Sequence, residues 1–212
     1  MKKVEKRFPI AAGWLTAFVL WTTIVCFVDV RPIGPEGSSV GLAGINQLVH
    51  SLTGVHFILY TLTDWLSLIP IGVCLCFGIL GLVQWIKRKS ILRVDRSILS
   101  LGGFYIATMT VYLFFENFVI NYRPVLINGF LEASYPSSTT VLVICVMSTA
   151  LTQLNHRIRN HTLRRCTAFL IIAFTTFMIL SRLFSGVHWI SDIIGGLLLS
   201  ACLVTLYASF AY

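Results

Sequence analysis

Six stretches of this chain are apolar over nearly the length needed to cross a bilayer, and few folds accommodate that. They lie at about 11–29, 66–86, 98–120, 136–155, 165–183 and 187–210, against the ~20 residues a helix needs to span the hydrocarbon core. A backbone in lipid must satisfy its own polar groups, which a helix does within one segment. Hydrophobic residues make up 57% of the chain and charged residues 11%, the balance of a membrane protein. The expected fold class is therefore an all-α membrane protein, a single domain over 1–212 with six transmembrane helices and a short external amphipathic helix. That short helix is expected over 41–52, GLAGINQLVHSL, at the outer interface. The first span is expected to stay uncleaved, because no small-residue cleavage pattern follows a short apolar region.

Basic residues orient the spans. Thirteen of the sixteen Lys and Arg fall before the first span, between spans two and three, or between spans four and five. Their shared face is assigned to the cytoplasm, which puts both termini inside and predicts a multi-pass plasma-membrane protein. The net charge of +8 then reports topology and contact with anionic lipid heads, and nucleic acid is an unneeded partner. Arg31, Arg123 and Arg182 lie on the opposite face, against the trend.

The connections on that outer face are a Gly-, Pro- and Ser-rich loop at 30–40, a loop at about 121–135, and a few residues around Ser185-Gly186. Val55 to Trp65 is expected to lead into the second span. The six cysteines form no metal-spaced cluster and are read as small core residues. Trp65, Trp85 and Trp189 stand near span ends and are expected as interfacial anchors.

Three outer segments carry the polar chemistry. The sharpest runs from Ser181-Arg182 through His188 to Asp192. His188 and Asp192 are four apart, so on a helix they share a face, and the carboxylate can hold the imidazole in one tautomer. Arg182 offers a planar fork suited to phosphate. A second segment is Tyr135-Pro136-Ser137-Ser138-Thr139-Thr140, where Pro136 fits a helix start, Ser137 can cap it, and free amides with nearby hydroxyls can bind an anion. The third holds Arg123-Pro124 at the outer end of span three, with Glu116 roughly two turns deeper. An unpaired carboxylate at that depth is costly, so Glu116 is expected to be paired, hydrated or protonated.

Together these segments resemble the type 2 phosphatidic acid phosphatase superfamily, whose pattern is K-x6-R-P, then P-S-G-H, then S-R-x5-H-x3-D. The third motif matches fully at Ser181, Arg182, His188 and Asp192. The first keeps Arg123-Pro124 but has Glu116 in place of lysine. The second keeps Pro136-Ser137 but has Ser138 for glycine and Thr139 for histidine. The resemblance implies a phosphatase-type helical bundle and a membrane lipid phosphate or pyrophosphate as substrate. It further implies that His188 attacks phosphorus to form a phosphohistidine while Asp192 orients it. Arg123, Arg182, Ser137, Ser138 and local amides would stabilise the phosphoryl group. The scheme requires no metal and no other cofactor.

The departures set further expectations. In the family the histidine at the position of Thr139 protonates the leaving group, and losing a general acid typically costs about 10²–10⁴ in rate. A lipid pyrophosphate suffers least, because its leaving lipid phosphate is already a stable anion. Glu116 is a candidate substitute acid, and His50 and His56 are weaker ones, more simply read as interfacial histidines. Asp64 and Glu132 have lesser claims. The alternative reading is a noncatalytic lipid-phosphate binding or transport protein on the same fold. A small channel has no support, since no repeated pore-lining polar stripe is visible.

Overall fold

The computed structural model describes residues 7–210. It is all-helical, and six of its helical segments are long and apolar enough to cross a membrane. The helices are α1 (Arg7–Phe27), α2 (Ala43–Thr53), α3 (Phe57–Leu66), α4 (Leu68–Arg88), α5 (Arg96–Asn117), α6 (Ser138–Arg157), α7 (His161–Phe184) and α8 (Ile190–Phe210). Helix α2 is the short amphipathic helix expected at 41–52, shifted by two residues at its start. The expected lead-in to span two is itself a helix, α3. It is separated from α4 only at Ser67, whose amide donates to the carbonyls of Thr63 and Asp64.

Helices α6 and α8 occupy the centre, and α1 makes its most extensive packing along α8. Of the six spanning segments α6 is the least apolar, and its polar groups explain its place. Thr149 bonds back to the Cys145 carbonyl, and Gln153 donates to the Tyr207 hydroxyl at 2.8 Å. Such groups are costly against lipid and cheap against another helix. Phe18, Val25, Leu101, Phe104, Tyr135, Val141 and Leu199 fill the core joining α1, α5, α6 and α8.

At the basic end, Asp95 ties three segments together. It accepts from Gln84 at 2.8 Å and Arg88 at 2.9 Å, and lies 3.8 Å from Arg157. The expectation that all six cysteines are core residues is corrected: only Cys145 and Cys202 are buried, while Cys26, Cys76 and Cys166 are exposed on the bundle's outer surface. A thiol is apolar enough to face hydrocarbon. Trp189 is also corrected. It is buried and its indole donates to the Tyr122 carbonyl at 2.8 Å, so it anchors a loop and not an interface, whereas Trp65 and Trp85 are exposed.

Candidate active site

The three polar segments meet at one end of the bundle, where α5 and α7 finish and α6 and α8 begin. The basic loops after α4 and α6 lie at the other end.

His188 stands in the turn between α7 and α8, one residue before the helix N-cap, so it does not share a helix face with Asp192 as expected. Asp192 sits in the first turn of α8 and reaches back to accept from the Trp189 amide at 3.0 Å. That is the reciprocal half of a capping box, and the helix N-terminus favours its negative charge. The turn depends on Gly186. Its φ is +66°, and a Cβ there would stand 1.9 Å from the Gly54 carbonyl oxygen. The loop before α3 closes onto this turn, with the His56 amide donating to the Ser185 carbonyl at 2.9 Å. His50 Nε2 lies 3.1 Å from the Gly186 carbonyl, and His56 Nε2 lies 3.0 Å from the Thr53 carbonyl.

His188 Nδ1 and Asp192 Oδ2 are 3.9 Å apart, too far for a hydrogen bond. Ser134 fills the gap, with its Oγ 3.0 Å from His188 Nδ1 and 2.5 Å from Asp192 Oδ2. All three residues are buried. Asp192 Oδ1 also accepts from Asn121 Nδ2 at 3.3 Å and Ser191 Oγ at 3.3 Å. Burial, together with the charges of Arg123 and Arg182, pushes the His188 pKa well below its ordinary value.

Both arginines flank one aromatic ring. The guanidinium carbons of Arg182 and Arg123 lie 5.0 Å and 5.9 Å from the centre of Tyr60. Arg182 is 2% exposed and donates through Nη2 to Thr139 Oγ1 at 2.7 Å and Asp64 Oδ1 at 3.2 Å. Arg123 Nε lies 3.1 Å from Glu132 Oε2. His188 Nε2, Arg182 Nε and Nη1, and Arg123 Nη1 are buried with neither a hydrogen-bond nor an ion-pair partner, and Arg123 Nε has only its ion pair with Glu132.

Of the remaining expected residues, Ser137 is buried, Ser138 is half-buried and Glu116 is exposed. Helix α6 begins at Ser138, two residues later than expected, so Pro136 precedes the N-cap. Ser137 occupies the N-cap but its side chain caps no amide. Its Oγ accepts from Thr140 Oγ1 at 3.0 Å, and its own amide donates to the Asp192 carbonyl at 3.1 Å. Glu116 is in the last turn of α5, exposed, and shares a small recess with Tyr112, Ser134 and Ser138. A larger, mostly apolar recess opens between α4, α5 and α6, running past Ile71, Met109 and Val146 and reaching Ser138 and Thr139.

Ser134, Asn121 and Tyr60 join the site without a motif to mark them, and Asp64 has a larger part in it than its sequence position suggests. One signal for the first two was available. Asn128-Gly129 is a hairpin-turn dipeptide, and both residues have positive φ, 50° and 82°. The turn folds the loop back so that Glu132 pairs with Arg123 and the Ser134 amide donates to the Asn121 carbonyl at 2.9 Å. For Tyr60 and Asp64 the signal was their i, i+4 spacing on a helix.

Comparison with known proteins identifies the fold and the family. The fold is similar to the crystal structure of a transmembrane PAP2 type phosphatidylglycerolphosphate phosphatase from Bacillus subtilis. The TM-score is 0.61 at 14% sequence identity, with 94% of each chain covered. No curated protein sequence matches. The sequence model of the PAP2 superfamily matches residues 98–212. Since that region takes in more than half of the chain and all three motif segments, this protein belongs to the PAP2 superfamily.

Proposed function

We propose that the protein is a membrane phosphatase or phosphotransferase, acting on lipid phosphates or pyrophosphates at the outer face through a phosphohistidine on His188. The observation that carries this reading is the set of unpartnered buried atoms, His188 Nε2 beside three guanidinium nitrogens. A buried donor without a partner costs about 1–3 kcal/mol, and more when charged. A phosphoryl group would satisfy the arginine donors and bring phosphorus to the free imidazole nitrogen. The apolar recess that reaches Thr139 supports a lipid-borne phosphate, since a chain can remain in hydrocarbon while its head reaches the arginines.

In the proposed reaction the Nε2 lone pair forms a bond to phosphorus as the bond to the lipid oxygen breaks. Arg123 and Arg182 balance the charge on the phosphoryl oxygens. Water then attacks the phosphohistidine, releasing inorganic phosphate and restoring the imidazole. A lipid acceptor in place of water would make the enzyme a transferase. Thr139 is an unsuitable acid at neutral pH, and its Oγ already receives the Arg182 bond. Pyrophosphates, which lose an anion needing no proton, are therefore the favoured substrates. The excess of basic residues at the far end supports a cytoplasmic assignment for that end and an external site.

One observation favours the noncatalytic alternative. Each arginine is already engaged by a carboxylate, Asp64 or Glu132, and a third, Glu116, stands at the rim. The deciding experiment presents purified protein with isoprenyl pyrophosphate, isoprenyl phosphate, phosphatidic acid and phosphatidylglycerol phosphate. Phosphate release with an acid-labile phosphoryl group on His188 supports the enzyme. Tight binding without turnover or labelling supports the binding protein.

A further inference from the structure

We infer that Ser134 is a positioning residue that sets the His188 tautomer, presenting Nε2 as the nucleophilic nitrogen. The inference rests on the proposed role of His188. It follows from counting protons. Ser134 Oγ lies 2.5 Å from Asp192 Oδ2 and 3.0 Å from His188 Nδ1, and it has one proton to give.

The charge state of Asp192 decides where that proton goes. Besides Ser134, its two oxygens accept from the Trp189 amide, Asn121 Nδ2 and Ser191 Oγ. The Trp189 and Asn121 amides can only donate, one to each carboxylate oxygen, and the helix N-terminus favours negative charge, so the geometry points to a carboxylate that accepts at neutral pH. An ionised carboxylate only accepts, so Ser134 donates to Asp192. Its oxygen lone pair then faces His188 and must accept, which puts the ring proton on Nδ1. Nε2 is left unprotonated, and that is the buried nitrogen without a partner. A protonated Asp192 would reverse both bonds and place the ring proton on Nε2, where it could not attack phosphorus. The hydroxyl thus does at one remove what a direct carboxylate contact would do, and the 3.9 Å gap is why it is needed.

The test is nitrogen NMR of protein labelled with ¹⁵N-histidine, at a pH where the imidazole is neutral, with His188→Ala to assign the signal. The expected spectrum has a protonated Nδ1 and an unprotonated Nε2. Ser134→Ala should lose this preference and slow His188 phosphorylation about 10- to 100-fold, the scale on which losing the partner that orients an imidazole acts. Ser134→Thr should restore both. A wild-type spectrum with the proton on Nε2 overturns the inference, even if Ser134→Ala does not fold. So does a Ser134→Ala protein with unchanged tautomer and unchanged labelling rate. If wild type is never phosphorylated on His188, the functional reading fails, and the tautomer spectrum still decides the part played by Ser134.

Discussion

Arg182 donates to Thr139 at 2.7 Å, so the position where the family places its acid histidine is occupied here by a side chain that anchors an arginine. On the proposed function, this departure removes the acid from that position and gives Arg182 an anchor there. Pyrophosphate lipids are expected to be cleaved faster than the matching monophosphates. Thr139→His should raise monoester cleavage more than pyrophosphate cleavage, and its combination with Glu116→Lys should raise it further. Steady-state phosphate release on paired substrates measures this. A wild-type preference for monoesters, abolished by Glu116→Gln, would make Glu116 the acid and refute the leaving-group argument.

His188→Ala should abolish turnover in a protein that still elutes as a folded species. Asp192→Asn cannot accept from all of its present donors and should misplace the ring, with a loss approaching ~10⁴ by analogy with the carboxylate of hydrolase triads. Phosphate release unchanged in pure His188→Ala would remove the proposed nucleophile.

Arg182→Lys should cost about 10²–10³ in kcat, the range found when one transition-state donor is removed. A lysine has a single point charge. It cannot bond Thr139 and Asp64 while keeping two further nitrogens free to donate, as Arg182 does with Nη2 engaged and Nε and Nη1 unpartnered. Near-normal kcat in this variant would show that the guanidinium geometry is unimportant.

Activity should persist to lower pH than an ordinary histidine allows. Burial and two arginines disfavour the imidazolium, so protonation that removes the nucleophile is pushed below pH 6.5. The acid limb of kcat/KM is expected there, and Arg123→Gln should move it upward. The stability sign is also fixed. The unfolded chain takes up this proton near pH 6.5 while the folded protein does not, so stability falls as pH drops through and below that value. An acid limb above pH 6.5 would contradict the account.

Gly186→Ala should lower the thermal midpoint and activity together, with a cost of more than about 1 kcal/mol. The new Cβ meets the Gly54 backbone, which cannot rotate aside as a side chain could. A thermal shift assay in detergent and phosphate release check both parts.

The spans were readable because length and hydropathy suffice to mark them, and both are local. Their ends were less so. Helix α5 stops at Asn117, since the following residues are drawn into the Asn128-Gly129 hairpin, and α6 starts only after Ser137. In the site, the motif residues were legible by spacing, yet the contact between His188 and Asp192 was not. Spacing of four assumes a helix, and the chain there is a turn. Ser134 and Asp64 were hidden for another reason. Their partners lie 54 and 118 positions away, and only the packing of α3, α7 and the loop before α6 brings them together.

The closure of the α2–α3 segment over the Ser185-Gly186 turn has a consequence for how this protein can diversify. The family match begins at residue 98, whereas Asn46, whose side chain bonds the Ser191 hydroxyl and amide, and His50, Tyr60 and Asp64 all precede it. The surroundings of the candidate site are therefore assembled from two stretches of chain, one under the family's signature and one outside it. On the proposed function, substitutions in the stretch before residue 98 are expected to alter which headgroups are admitted while Arg123, Arg182 and His188 stay as they are. Two proteins that look alike from residue 98 onward could accordingly serve different lipids, and exchanging residues 41–66 between them is the direct way to move that choice.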